Sequence, residues 1–109
     1  MTQVVWAKPD LEVELEAELQ RMLIVLKDME DVEEVWLFGS TVDGRLHSGS
    51  DLDLLVVSRT EEAVGSRAVS LAKKLGPRVP VDLFVFTPHE VSQGGRFLDY
   101  VQRHGRRLL

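Results

Sequence analysis

The sequence predicts an α/β (α+β) domain, a mixed β-sheet with helices packed on it. Three observations carry that expectation. Apolar, strand-like runs recur at 35–38, 52–57 and 79–86. Two segments with helical apolar spacing, 11–29 and 60–75, stand before the first run and between the second and third. The resulting order, α-β-(loop)-β-α-β-α-α, mixes helices and strands as a layered α/β fold does. At 109 residues the chain fits one domain, 1–109, with a single core and little room for accessory lobes.

Taken in order, Val4, Val5 and Trp6 suit either an arm or an edge strand. Asp10 is the expected N-cap of a first helix running to about Met29. Its residues 11–19 alternate apolar and acidic, as a strand would. Leu11, Leu15, Leu19, Met22, Leu23 and Leu26 nevertheless form an i, i+4, i+7 stripe, and Leu, Glu and Ala favour the helix. A strand over Val35 to Phe38, starting near Val32, leads to Gly39-Ser40 and a loop with room for one helical turn before Gly44. Leu52 to Val57 is nearly all apolar, which suits a strand covered on both faces.

Thr60 is the expected cap of the next helix, with Glu61 and Glu62 in its first turn. Val64, Ala68, Leu71, Ala72 and Leu75 are its buried stripe and Gly76-Pro77 its stop. Val79 to Phe86 reads as a third strand with Asp82 near its start. Thr87-Pro88-His89-Glu90 is a capping box with proline at the first helical position. That short helix breaks at Gly94-Gly95. Phe97, Tyr100 and Val101 mark a last helix ended by Gly105, with Arg106 to Leu109 as a terminal strand or tail.

Composition narrows the function classes. The 44% apolar content is that of a soluble globular protein. No apolar run reaches the roughly 18 residues of a membrane span, and no signal-peptide pattern opens the chain. The absence of cysteine excludes disulfides and thiolate metal sites and fits a cytoplasmic protein. A formal net charge of −5 argues against broad, nonspecific nucleic-acid binding, which needs basic surface. A nucleotide can still bind where metal ions neutralise its phosphates.

The chemistry concentrates between Val32 and Val57. Gly39-Ser40 ends one strand, where small residues let the backbone approach a phosphate. Ten residues later come Asp51-Leu52-Asp53. Carboxylates at i and i+2 of a strand share a face, roughly 6.5 to 7 Å apart. Oxygen ligands at that spacing suit a hard cation such as Mg²⁺. If the strand carrying Asp82 lies alongside, three carboxylates converge, and a cation relieves their mutual repulsion. Asp51, Asp53 and Asp82 are therefore the candidate metal-ligating and catalytic residues.

Gly39-Ser40, the ten-residue spacer, Asp51-Leu52-Asp53 and the later Asp82 together resemble the signature of the DNA polymerase beta-like nucleotidyltransferase superfamily. The short length, the Leu-Phe-Gly-Ser start and the closing FLDYVQRHGRRLL stretch resemble its minimal nucleotidyltransferase branch. The resemblance covers the chain from about Leu11 to its end. It implies that Gly39 and Ser40 hold the terminal phosphates of an NTP, that Asp51 and Asp53 bind two magnesium ions, and that Asp82 ligates the catalytic one and helps activate an incoming hydroxyl. Attack at the α-phosphorus would transfer NMP, most readily AMP from ATP, and release pyrophosphate. Minimal members commonly carry arginines after the Gly-Ser; here Thr41 and Asp43 occupy those positions, Gly44 is kept, and Arg45 is the residue able to restore positive charge.

The resemblance also implies a partner. Minimal members often pair as antitoxins with a HEPN-domain protein, and a chain this small needs such a partner, or a second copy in a homo-oligomer, to complete the cleft. The alternative is a non-catalytic, antitoxin-like subunit that neutralises its partner by contact, a reading motivated by the missing arginines. Outside this constellation, His47 reads as a solvated loop residue, His89 as structural, and Trp36 as core. His104 with Arg103, Arg106 and Arg107 forms a basic C-terminal patch, most simply a solvated tail. No histidine–cysteine metal spacing, nucleophile triad or Walker loop is present.

Overall fold

A computed structural model describes the backbone of residues 8–42 and 51–109, and side chains for 13–42 and 51–109. Val4, Val5, Trp6, Arg45 and His47, the expected turn before Gly44, and the side chains of Asp10 and Leu11 lie outside the described residues. The elements are α1 (Lys8–Lys27), β1 (Val32–Phe38), β2 (Leu52–Ser58), α2 (Val64–Leu75), β3 (Val81–Phe86), α3 (Pro88–Ser92), α4 (Arg96–His104) and β4 (Arg106–Arg107). Helix α1 starts before Asp10, which therefore does not cap it. Pro9 suits the first helical turn, where its missing N–H would have had no partner.

The strands form one mixed sheet in the order β3-β2-β1-β4. β1 is antiparallel to β2 and to β4, whereas β2 and β3 run parallel. A parallel pair needs a crossover, and α2 supplies it. Strand alternation then sorts the side chains onto two faces. Val35, Leu37, Leu52, Leu54 and Val56 meet the α1 stripe from Leu15 to Leu26 and Leu71 and Leu75 of α2. On the other face Phe38 and Leu55 pack with Leu98 and Val101 of α4, against which Trp36, Phe86, Val91 and Phe97 are half-buried. Each fully buried leucine contributes about 1.5–3 kcal/mol. Burying both faces explains the nearly unbroken apolar run of β2.

Helix α2 begins later than its sequence suggests. Ala63, not Thr60, precedes its first turn, and no side chain caps it. The Thr60 hydroxyl instead accepts the Glu62 N–H in a local turn, at 3.1 Å. Val64 is exposed rather than part of the buried stripe, because the helix turns its Leu71–Leu75 side inward. Gly76 ends α2 in the left-handed region, φ 53°. The capping box of α3 forms as expected, with Thr87 and Glu90 exchanging side-chain and backbone bonds. Its Glu90 also accepts from Arg67 of α2 at 2.7 Å. That ion pair fastens the two helices across the edge of the sheet. A Cβ at Gly105 would overlap the carbonyl of Val101, so glycine permits the tight passage from α4 to β4.

One part-buried ion pair orders the α1 side. Glu18 accepts two bonds from Arg21, both 2.8 Å, and the backbone N–H of Arg78 at 2.5 Å. The Arg21 hydrogen bond, outweighing burial, lowers its carboxyl from 4.5 to about 2. A depressed carboxylate stabilises the fold above its unfolded value and loses that contribution as pH falls through about 2. Glu18→Gln should therefore lower unfolding stability at pH 7 by about 1–3 kcal/mol. In urea titrations the gap to wild type should shrink steadily below about pH 4.5.

Candidate active site

The parallel pairing of β2 and β3 sets Asp53 directly opposite Asp82. The antiparallel pairing of β1 with β2 sets Phe38 opposite Asp53. By alternation both carboxylates project on the α4 face of the sheet, at the row where β1 ends and β3 begins. Gly39 follows Phe38 with φ 82°, a left-handed conformation that favours glycine. A Cβ there would collide with an Asp53 carboxylate oxygen. The corner of β1 thus lies against the first carboxylate, and Asp82 stands on its other side.

Burial raises the Asp53 carboxyl from 3.8 to about 6, and the charge of Asp82, a hydrogen bond shared with it, and the charge of Asp51 push in the same direction. An aromatic cluster lies on the same face of the sheet. The ring of Phe38, in the row of Asp53, and that of Phe84, one row further on the same face, approach to 5.5 Å across β2. Phe97 of α4 packs on both, at 5.4 and 5.2 Å. This aromatic cluster, completed by Tyr100, escaped the sequence reading. Its one signal was Phe84 two positions after Asp82 on the same strand face.

Asp51 does not complete a strand pair with Asp53, because β2 begins at Leu52 and Asp51 precedes it. It acts on Asp53 through charge. Among the described residues, no three His, Asp or Glu side chains gather closely enough to hold a metal ion. The sequence expectation of three converging carboxylates is reduced to a close pair, Asp53 and Asp82, with Asp51 nearby. Ser40 and Thr41 continue the corner, which Val42 closes by donating to the Gly39 carbonyl at 3.1 Å. The Thr41 hydroxyl is buried and finds no partner among the described residues. Arg45 lies outside them.

The donor set is oxygen only, and its charges oppose one another, so a hard divalent cation fits its chemistry. The raised value of Asp53 also fixes a pH signature. A carboxyl harder to ionise in the fold binds protons there between about 4 and 6 that it has released when unfolded, so stability falls as pH rises through that window. Asp53→Asn should therefore melt higher than wild type at pH 8 in EDTA, by a few degrees. The difference should close by pH 4 in differential scanning fluorimetry.

Comparison with known proteins gives the geometry a context. The nucleotidyltransferase domain family matches residues 19–107. No curated protein sequence is significantly similar. The chain is similar in structure to a toxin–antitoxin protein crystallised with AMP-PNP, at a TM-score of 0.56 and 24% identity over 83% of this chain and 71% of that one. A Sulfolobus solfataricus protein assigned as a nucleotidyltransferase aligns at 0.51 and 25% identity, over 73% and 78% of the two chains. A mutant MntA–HpeT toxin–antitoxin structure aligns at 0.50 and 22% identity, over 86% and 71%. The mixed sheet with packed helices is thus the architecture of these neighbours, as the sequence led us to expect. With the family match spanning most of its length, from within α1 to the end of β4, the chain belongs to the nucleotidyltransferase domain family.

Proposed function

We propose that the protein transfers NMP, preferentially AMP, from an NTP to a hydroxyl of an acceptor. The carrying observation is the row Phe38–Asp53–Asp82 across three adjacent strands, with Gly39 at the end of β1 closing on the Asp53 carboxylate. In this reading Gly39 and Ser40 grip the terminal phosphates through backbone N–H groups and the serine hydroxyl. Thr41, at a position where relatives commonly carry arginine, has a buried hydroxyl that finds no partner among the described residues and that would donate to a phosphate oxygen. Asp53 and Asp82, with Asp51, would hold two Mg²⁺. Bound there, the ions supply charge neutralisation for the phosphates and the leaving group. Asp82 accepts the proton of the attacking hydroxyl. Arg45 is assigned as a further nucleotide contact on sequence grounds alone.

The adenine preference draws support from the relative crystallised with AMP-PNP. The toxin–antitoxin neighbours support a protein partner. We assign that partner to the HEPN class and the pair to the cytoplasm, from the family resemblance and the absence of cysteine. Among the described residues no helix is long and apolar enough to cross a membrane. The competing reading, an antitoxin that acts by contact alone, rests on the missing loop arginines.

Incubation with labelled ATP, Mg²⁺ and the product of the neighbouring gene separates the two. Label transfer lost in Asp53→Asn and Asp82→Asn supports the enzyme; neutralisation of the partner that survives both substitutions supports the contact antitoxin. Millimolar Mg²⁺ or Mn²⁺ should also raise the wild-type melting temperature through binding linkage, and Asp53→Asn should abolish the shift. An unchanged wild-type melting temperature with either ion would remove the metal site from the reading.

A further inference from the structure

Beside the acidic pair lies a surface that the transfer reading does not use. Phe84 is 38% exposed and Tyr100 43%, yet both belong to the aromatic cluster next to Asp53 and Asp82. Helix α4 buries Leu98 and Val101 and half-buries Phe97, leaving Arg96, Asp99, Tyr100, Arg103 and His104 on one outward face, where they line a shallow hollow. Two arginines and a histidine share that hollow on a chain of net charge −5. Arg96 and Arg103 are seven residues apart, about 10 Å along the helix, with Tyr100 between them.

The row across the sheet gives this surface a direction. If the phosphates lie at Gly39 on the β1 side of Asp53, in-line displacement brings the attacking group from the opposite side, past Asp82 on the edge strand β3. Phe84 is the next residue on that strand face, and its ring packs on α4. We infer that Phe84, Tyr100 and the outward face of α4 dock an acidic protein segment that carries the acceptor hydroxyl and that seats an apolar or aromatic side chain between carboxylates about 10 Å apart. Charge complementarity selects that occupant. A nucleic-acid strand carries a negative charge at every nucleotide and would meet Asp99 within the hollow and Asp82 beyond it. The direction of approach rests on the nucleotide-transfer reading; the surface itself does not.

The test uses a random copolymer of glutamate and tyrosine, which combines carboxylates with aromatic rings, against wild type and Arg96→Glu/Arg103→Glu. Both arginines are exposed, so the variant should keep its melting temperature. Fluorescence anisotropy should show copolymer binding by wild type weakened roughly tenfold or more in the variant, with ATP–Mg²⁺ affinity unchanged. Tyr100→Ser should weaken the copolymer more than polyglutamate. The inference is overturned by absent copolymer binding in wild type, by equal affinity in the charge-reversed variant, or by an oligoadenylate that binds more tightly than the copolymer. Arginine-dependent copolymer binding by a chain that fails to bind ATP–Mg²⁺ would uphold the surface and sink the transfer reading.

Discussion

The parallel register of β2 and β3 is the constraint on which the candidate site depends. It fixes Asp53 against Asp82, and it exists because α2 carries the chain back over the α1 face to start β3 beside β2. Nothing in the two carboxylates favours the arrangement: half-burying Asp53 beside the exposed Asp82 raises the Asp53 carboxyl to about 6. The apolar strands on which they sit bear the cost. Leu54 and Val56 are fully buried against α1 and α2, and Leu55 is buried against α4. Register is strongly specified when a slip of one residue would turn such side chains to the wrong layer. The hydrophobic effect therefore sets the acid pair, and the electrostatic tension is a consequence.

Gly39 ties the third strand to the same point. Its positive φ and the collision that a Cβ would make with Asp53 both require glycine, for different reasons. One concerns the backbone at the end of β1, the other the space beside the carboxylate. An alanine would strain the turn and displace the side chain it faces. The glycine–serine corner and the first acid are thus one packed unit rather than two motifs that happen to be neighbours. The same close approach of the Gly39 backbone covers one side of the carboxylate.

Much of this was legible in the sequence, and the limits have physical causes. β1, β2, the capping box of α3 and the glycine stop of α2 follow from local patterns, and each formed where those patterns place it. Thr60 misled because a threonine followed by two glutamates looks like a helix start. The Glu62 carboxylate instead accepts from the Ser70 hydroxyl, and its backbone carbonyl accepts from Arg67. Asp51 stands one residue before the strand, so the i, i+2 strand pairing expected of it with Asp53 does not form. Strand order and the aromatic cluster are long-range properties. Phe38, Phe84 and Phe97 come from three separate elements, and only the docking of α4 brings their rings together.

The charge distribution follows from the same layering. The α1 side carries a buried glutamate that Arg21 and a backbone N–H must satisfy, so its polar requirements are met within the fold. The α4 side does the reverse. Its helix spends Phe97, Leu98 and Val101 on the core and leaves arginines and an exposed tyrosine outward, one row from two carboxylates of opposite sign. An acidic chain that keeps cations and aromatic surface beside its most strained anions has separated two recognition tasks in space. On the proposed reading the acid pair would attract cations and, through them, phosphates. The flanking helix, with Arg96 and Arg103 outward, would attract carboxylates. A molecule that had to satisfy both at once would be a composite of nucleotide and acidic protein, and on a sheet this small the two can meet only over Asp82, at the open edge of β3.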